Sequence, residues 1–119
     1  MDNDISFFEL KYLITDSFYF EILKNSRTYG QAYGICYESF YGYIVSDGIY
    51  SAVAIFSIML LAIRHNVELS DNNIKLIKTA LNKVKSLDIE NTLNSAEREY
   101  LEDDIQSLNF YLKDKLNNY

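Results

Sequence analysis

The sequence predicts an all-α protein, a compact bundle of about five helices around a central apolar helix at residues 46–65. Proline is absent and glycine occurs four times in 119 residues, so few positions force the chain out of a helix. Residues 49–63 include no charged side chain, and a helix without a polar face is normally enclosed by other helices. The flanking segments repeat apolar residues at three- and four-residue steps, which is the spacing of amphipathic helices.

Composition favours one globular domain over residues 1–119, because 49% of the residues are hydrophobic and 24% are charged. The net charge of −6 disfavours unspecific binding to nucleic-acid phosphates or to anionic lipid. Cys36 is the only cysteine, so no internal disulfide can form, and the N-terminal residues lack the basic start of a secretory signal. We therefore expect a cytoplasmic protein.

Helix one is predicted over residues 6–24. The Ser6 hydroxyl can accept a hydrogen bond from the backbone of Glu9, and the Glu9 carboxylate can reach back, as in a capping box. Its predicted buried face consists of Phe7, Leu10, Ile14, Phe18 and Ile22.

Helix two is predicted over residues 29–44, because Thr28 and Gln31 have the spacing of a second capping box. A row of tyrosines at every fourth position drifts by about 40° per step around a helix, so one end of the row should leave the core. The row consists of Tyr29, Tyr33, Tyr37 and Tyr41. We interpret these rings as core residues or, alternatively, as a partner-binding surface.

Helix three is the central apolar helix. Ser46 is a predicted cap, with Val45 and Tyr50 placed for a hydrophobic staple. His65 lies in the expected last turn, and Asn66 is expected to stop the helix in a left-handed conformation.

Helices four and five are predicted from clean apolar stripes. Ser70 is the expected cap of helix four, and helix five spans residues 95–116. The stripe of helix four consists of Ile74, Ile77, Leu81 and Val84. The stripe of helix five consists of Leu101, Ile105, Leu108, Leu112 and Leu116.

The outward side of helix five combines carboxylates with aromatic rings. The residues concerned are Glu97, Glu99, Tyr100, Glu102, Asp103, Asp104, Phe110 and Tyr111. Acids in the first half of a helix complement its dipole, and some could pair with lysines of helix four. The same groups also suit a basic protein partner, because charge speeds encounter and aromatic anchors slow release. The candidate partner-binding residues are Glu99, Tyr100, Asp103, Asp104, Phe110 and Tyr111, together with Tyr33, Tyr37 and Tyr41.

We expect no catalytic residue, no cofactor and no metal site. With His65 as the only histidine and Cys36 as the only thiol, neither a histidine-based triad nor a usual Cys/His zinc site can be assembled. A di-iron bundle would need two Glu-x-x-His motifs. None of the four glycines follows a predicted strand, as nucleotide-binding loops require.

A membrane-associated hairpin is a less favoured alternative. Asp47 is the only charged residue in residues 39–63, and basic residues follow, as the positive-inside rule would have it. The apolar segment would span only about 22 Å as a helix, against a hydrocarbon core of about 30 Å. We therefore expect no membrane contact.

In size, charge, helicity and outward aromatics beside acids, the chain resembles bacterial toxin immunity proteins, including those of contact-dependent growth inhibition systems and nuclease colicins. The resemblance implies a cytosolic inhibitor that binds a cognate toxin, often a basic nuclease domain, without contacting nucleic acid itself. The alternative is an adaptor bundle that forms a homodimer through Phe110 or the tyrosine row. A phage-type mimic of nucleic acid is a third interpretation.

Overall fold

The computed structural model describes residues 5–117, except for the side chains of Leu116 and Asn117, and this part of the chain consists of helices and connecting turns with no strand. The predicted role of Leu116 in the apolar stripe therefore lies outside the described side chains. Seven helices follow one another in this range: α1 (Phe7–Leu23), α2 (Tyr29–Ser39), α3 (Tyr41–Ile44), α4 (Ile49–Arg64), α5 (Asp71–Lys85), α6 (Ile89–Thr92) and α7 (Ser95–Asn117). The all-α prediction is confirmed, and the Cα radius of gyration of 14.1 Å is that of a compact chain of this length.

The apolar helix α4 is mostly buried. Eleven of its 16 residues are buried, and it packs against α1, α2, α3, α5 and α7. Phe56 and Met59 are fully enclosed. Among residues 5–117, no helix is both long enough and apolar enough to cross a bilayer.

The predicted start of α4 was wrong. No side chain caps the helix, and Gly48 is its N-cap with φ 82°, a backbone conformation that glycine adopts without steric cost. The Ser46 hydroxyl instead donates to the Tyr43 carbonyl at 2.6 Å, and Val45 is exposed rather than stapled to Tyr50. The predicted end is confirmed, because the chain turns at Asn66 with φ 59°.

Predicted helix two is divided into α2 and α3. The break lies at Phe40, whose φ of −105° and ψ of 15° leave the helical region. The change of direction carries Ile44 into the core, where its carbonyl accepts a hydrogen bond from Ser51 at 2.6 Å. The helix count also rises because the short α6 forms in the segment between α5 and α7.

Three predicted caps are confirmed. Ser6 accepts a hydrogen bond from the amide of Glu9 at 3.1 Å, Thr28 forms the full capping box with Gln31, and Ser70 caps α5. The expected return bond from the Glu9 carboxylate is not formed within the described residues, and that side chain is exposed.

The predicted apolar stripes face the core with small differences at their ends. The fully buried members are Phe7, Leu10, Ile14, Phe18, Ile77, Leu81, Val84, Leu101, Leu108 and Leu112. Ile22, Ile74 and Ile105 are half-buried. These stripes fix which sides of α1, α5 and α7 are left for contacts with other molecules.

Candidate protein-binding site

Glu99, Asp103 and Phe110 lie along the outward side of α7. At 100° per residue the three positions fall within about 40° of one another and opposite the buried side of the helix. That side is fixed by Leu101 and Leu108, which are completely buried. The Phe110 ring is 77% exposed. We call Glu99, Asp103 and Phe110 the α7 face.

The acidic residues of α7 divide into two groups. Glu97 is used locally, because its carboxylate accepts from the Asn94 amide while Asn94 caps the Glu97 amide, both at 2.9 Å. Asp104 forms an ion pair of 2.8 Å with Lys11 of α1. Glu99, Glu102 and Asp103 are exposed.

None of these three exposed carboxylates has an ion-pair partner within residues 5–117. The ion pairs of this part of the chain are Lys11–Asp104 and Arg27–Glu21, and neither joins α7 to the lysines of α5. The expected pairing between helices four and five is therefore not formed. Because no cation within the described residues contacts these carboxylates, they are available to a cationic partner.

Tyr100 forms one border of the α7 face and is held by α1. Its ring meets Phe8 edge-on with the ring centroids 5.2 Å apart, and Phe8 in turn stacks on Tyr12 at 6.2 Å. Half of the Tyr100 side chain is still exposed. A partner on the α7 face would therefore find this ring preorganised.

Tyr111 turns away from the α7 face toward the tyrosine row of α2. It is half-buried, and its phenol is close enough to Tyr33 to raise the pKa of that residue. Burial is the largest cause that raises the pKa of Tyr33 to about 12, and the neighbouring Tyr37 also raises it. The Tyr33 hydroxyl donates to the Met59 sulfur at 3.4 Å and accepts from the Asn73 amide. Tyr33 therefore joins α2, α4 and α5 inside the bundle.

Both ends of the tyrosine row are exposed, with Tyr29 at 43% and Tyr41 at 51%, although the drift of the row predicts that only one end leaves the core. Tyr33 and Tyr37 pack against the core, with ring centroids 6.5 Å apart. Tyr41 follows at 6.1 Å from Tyr37 and is half exposed. The structure therefore gives Tyr33 and Tyr37 a packing role and leaves Tyr41 accessible.

The single thiol and the single imidazole are both engaged in packing. Cys36 is completely buried, and burial, with a smaller effect of Glu21, raises its pKa to about 11. A thiol that stays protonated at neutral pH is a poor nucleophile. His65 shares a hydrogen bond of 2.7 Å with the Tyr19 hydroxyl and stacks on Tyr29 at 4.1 Å. Within the described residues, no three His, Cys, Asp or Glu side chains converge as a metal site would require.

The outward side of α1 is an apolar surface that the sequence analysis missed. Four large side chains there are between 48% and 77% exposed: Tyr12, Leu13, Phe20 and Leu23. The signal was present, because these residues lie outside the predicted buried stripe of helix one and left the helix apolar on both sides. Polar residues occur on this side as well, because the exposed Asp16 lies among the four apolar side chains.

Comparison of the chain with protein-family models, with curated proteins and with solved structures found no match. The candidate site therefore depends on its own geometry.

Proposed function

We propose that this chain is a cytoplasmic inhibitor that binds a basic protein domain through the α7 face. The leading case is immunity to a cognate bacterial toxin, in which the inhibitor covers the active site of a nuclease domain. The observation that carries the proposal is an exposed phenylalanine, Phe110, on the same side of α7 as the unpaired carboxylates of Glu99 and Asp103.

The two kinds of side chain on this face have different roles in binding. Carboxylates at Glu99 and Asp103 would attract a cationic cleft and speed association. They would occupy the place where a nuclease binds the phosphates of its substrate. Phe110 would enter an apolar hollow and slow dissociation, as aromatic anchors at the centre of interfaces do.

A rigid support would favour tight binding by this face. We infer that α4 is the centre around which the longer helices are arranged, so that α7 is fixed by its buried leucines and by the ion pair between Lys11 and Asp104. A surface that is already ordered loses little conformational entropy on association. An interface of about 800 Å² per partner would then suffice for inhibition.

A growth assay with a two-charge variant tests the proposal. The candidate target is the C-terminal domain of a large secreted protein encoded immediately upstream of this chain. We expect this domain to arrest growth when it is expressed alone and co-expression of the chain to restore growth. Restoration should fail with Glu99→Lys combined with Asp103→Lys, because both steering charges are reversed.

A matched control separates this local effect from a change in net charge. Asp47→Lys combined with Glu68→Lys reverses two exposed carboxylates outside α7 and should still restore growth. Circular dichroism should show that both variants keep their helical content. If the α7 variant protects cells as well as the control does, or if no toxic domain is encoded upstream, the proposal is wrong.

A further inference from the structure

A groove between α5 and α7 has an apolar lining and room for a further side chain. The apolar lining consists of Leu81, Val84, Ile105 and Leu112, and the volume of the groove is about 300 Å³. An enclosed cavity of about 150 Å³ is large enough to hold a benzene molecule. The groove, which we call the α5–α7 groove, can therefore accept a large apolar side chain from another molecule.

Every polar side chain that lines the α5–α7 groove can donate a hydrogen bond. These side chains are Lys78, Asn82, Lys85 and Asn109. A lysine ammonium group donates without accepting, and each asparagine amide has two N–H donors. No carboxylate is among the described residues that line the groove, and the ion pairs of residues 5–117 include neither lysine. The lining therefore favours a ligand that carries carboxylates.

The charge of α5 is opposite to that of the whole protein. The net charge of the chain is −6, yet four of its 11 lysines and arginines lie in α5, and Asp71 in the first turn is the only acidic residue of this helix. All four lysines are exposed. A local group of cations attracts an anionic partner at short range. We therefore expect the occupant of the α5–α7 groove to be acidic.

The spacing of the two lysines at the groove matches the repeat of a helix. Lys78 and Lys85 are seven residues apart, so they lie within about 20° of each other around α5 and about 10 Å apart along it. Leu81 lies between them along the chain and lines the groove. A partner helix with two carboxylates at the same spacing could meet both lysines while an apolar side chain between them enters the groove. Recognition of an amphipathic helix by a groove takes this form.

We propose that the α5–α7 groove binds an acidic amphipathic helix of another protein. One apolar side chain of that helix fills the groove, and the carboxylates on either side of it pair with Lys78 and Lys85. The groove is separate from the α7 face, because Ile105 and Asn109 lie about 100° or more around α7 from Phe110. The acidic partner is therefore distinct from the basic domain of the proposed function, and this proposal does not depend on that function.

An NMR titration with a synthetic helical peptide tests the proposal. The probe is an acetylated, alanine-rich peptide of about 16 residues in which a leucine lies between two glutamates that have the spacing of Lys78 and Lys85. We expect saturable binding with a dissociation constant of about 1 mM or below, and shifts of the backbone amides of Asn82 and Asn109. A peptide with lysines in place of both glutamates should not bind.

Charge reversal at the groove identifies the binding site. Lys78→Glu combined with Lys85→Glu should weaken binding of the acidic peptide about tenfold and should allow the lysine peptide to bind instead. Lys75→Glu combined with Lys83→Glu is the matched control, because it reverses two exposed lysines of the same helix that do not line the groove. Each pair also includes one lysine of the last turn. The control should bind the acidic peptide like the unchanged chain.

Filling the groove tests the proposal without a change of charge. Asn109→Trp places a ring in the groove and should weaken binding of the acidic peptide about tenfold, whereas Ser107→Trp on the same helix should leave it unchanged. Both positions are exposed, and circular dichroism should show that all variants are folded. The absence of saturable binding, equal weakening by both charge-reversal variants, or unchanged binding by Asn109→Trp would overturn the proposal.

Discussion

Replacing Ser57 with alanine should stabilise the protein, although Ser57 lies in the middle of the core. Its side chain is only 4% exposed, and its hydroxyl has no hydrogen-bond partner within the described residues. A buried hydroxyl without a partner costs about 1–3 kcal/mol. Alanine removes that cost and has a better helix propensity by about 0.5 kcal/mol. We expect Ser57→Ala to raise the free energy of unfolding by about 1–2 kcal/mol.

Ser51 provides a matched control on the same helix. It is equally enclosed, but its hydroxyl donates to the Ile44 carbonyl at 2.6 Å. Ser51→Ala removes this bond and should lower the free energy of unfolding by about 1 kcal/mol.

Urea unfolding followed by circular dichroism measures both free energies, and thermal unfolding should show opposite shifts of about 4 °C per kcal/mol. If Ser57→Ala destabilises the protein, or if both variants shift stability in the same direction, the assignment of an unpaired hydroxyl to Ser57 is incorrect.

Three further predictions concern the core, an ion pair and alkaline pH. Phe56→Ala should lower the free energy of unfolding by about 3–5 kcal/mol in urea titrations, because it leaves a cavity in the fully enclosed centre. Asp104→Asn should cost about 1 kcal/mol by the same assay, since it breaks the partly exposed pair with Lys11, and a cost near zero would show that α1 and α7 are not held by this pair. Burial raises the pKa of Cys36 from 9.0 to about 11 and that of Tyr33 from 10.0 to about 12. Because the folded state holds both protons more tightly, stability should be complete below pH 9 and fall as the pH rises through these values, whereas a constant urea midpoint up to pH 11 would contradict both shifts.

Local sequence signals predicted most of the helices. The caps at Ser6, Thr28 and Ser70 could be predicted because a cap depends on residues within one turn. The buried stripes could be predicted because helical periodicity alone decides which side of an amphipathic helix is apolar. These signals require no knowledge of the neighbouring helices.

The predictions that were wrong concern residues whose contacts are distant in sequence or whose side chains can form more than one local hydrogen bond. The Ser46 hydroxyl could either cap α4 or close the turn after α3, and in the structure it closes the turn. Gly48, with its positive φ, is the N-cap of α4 instead. The break lies at Phe40, which is neither proline nor glycine, so the sequence carries no local signal for it at that residue. Asp104 was expected to face a partner, but Lys11 is 93 residues away in sequence.

The candidate site was only partly predictable for the same reason. Glu99, Asp103 and Phe110 share the outward side of α7 as the helical pattern predicts. Tyr111 is half-buried against the core and influences Tyr33 instead of facing outward with them. Which border of a helix meets a neighbour depends on packing angles that one sequence does not specify.

The central claim is tested most directly by the dissociation constant between the toxic domain encoded upstream and two phenylalanine variants of this chain. Phe110→Ser on α7 and Phe20→Ser on α1 each remove one exposed ring of the same size. Titration calorimetry should give about 30-fold weaker binding for Phe110→Ser, the loss of about 2 kcal/mol expected of an anchor, and unchanged binding for Phe20→Ser. Unchanged binding for Phe110→Ser, or a loss confined to Phe20→Ser, would contradict the assignment of the inhibitory surface to α7.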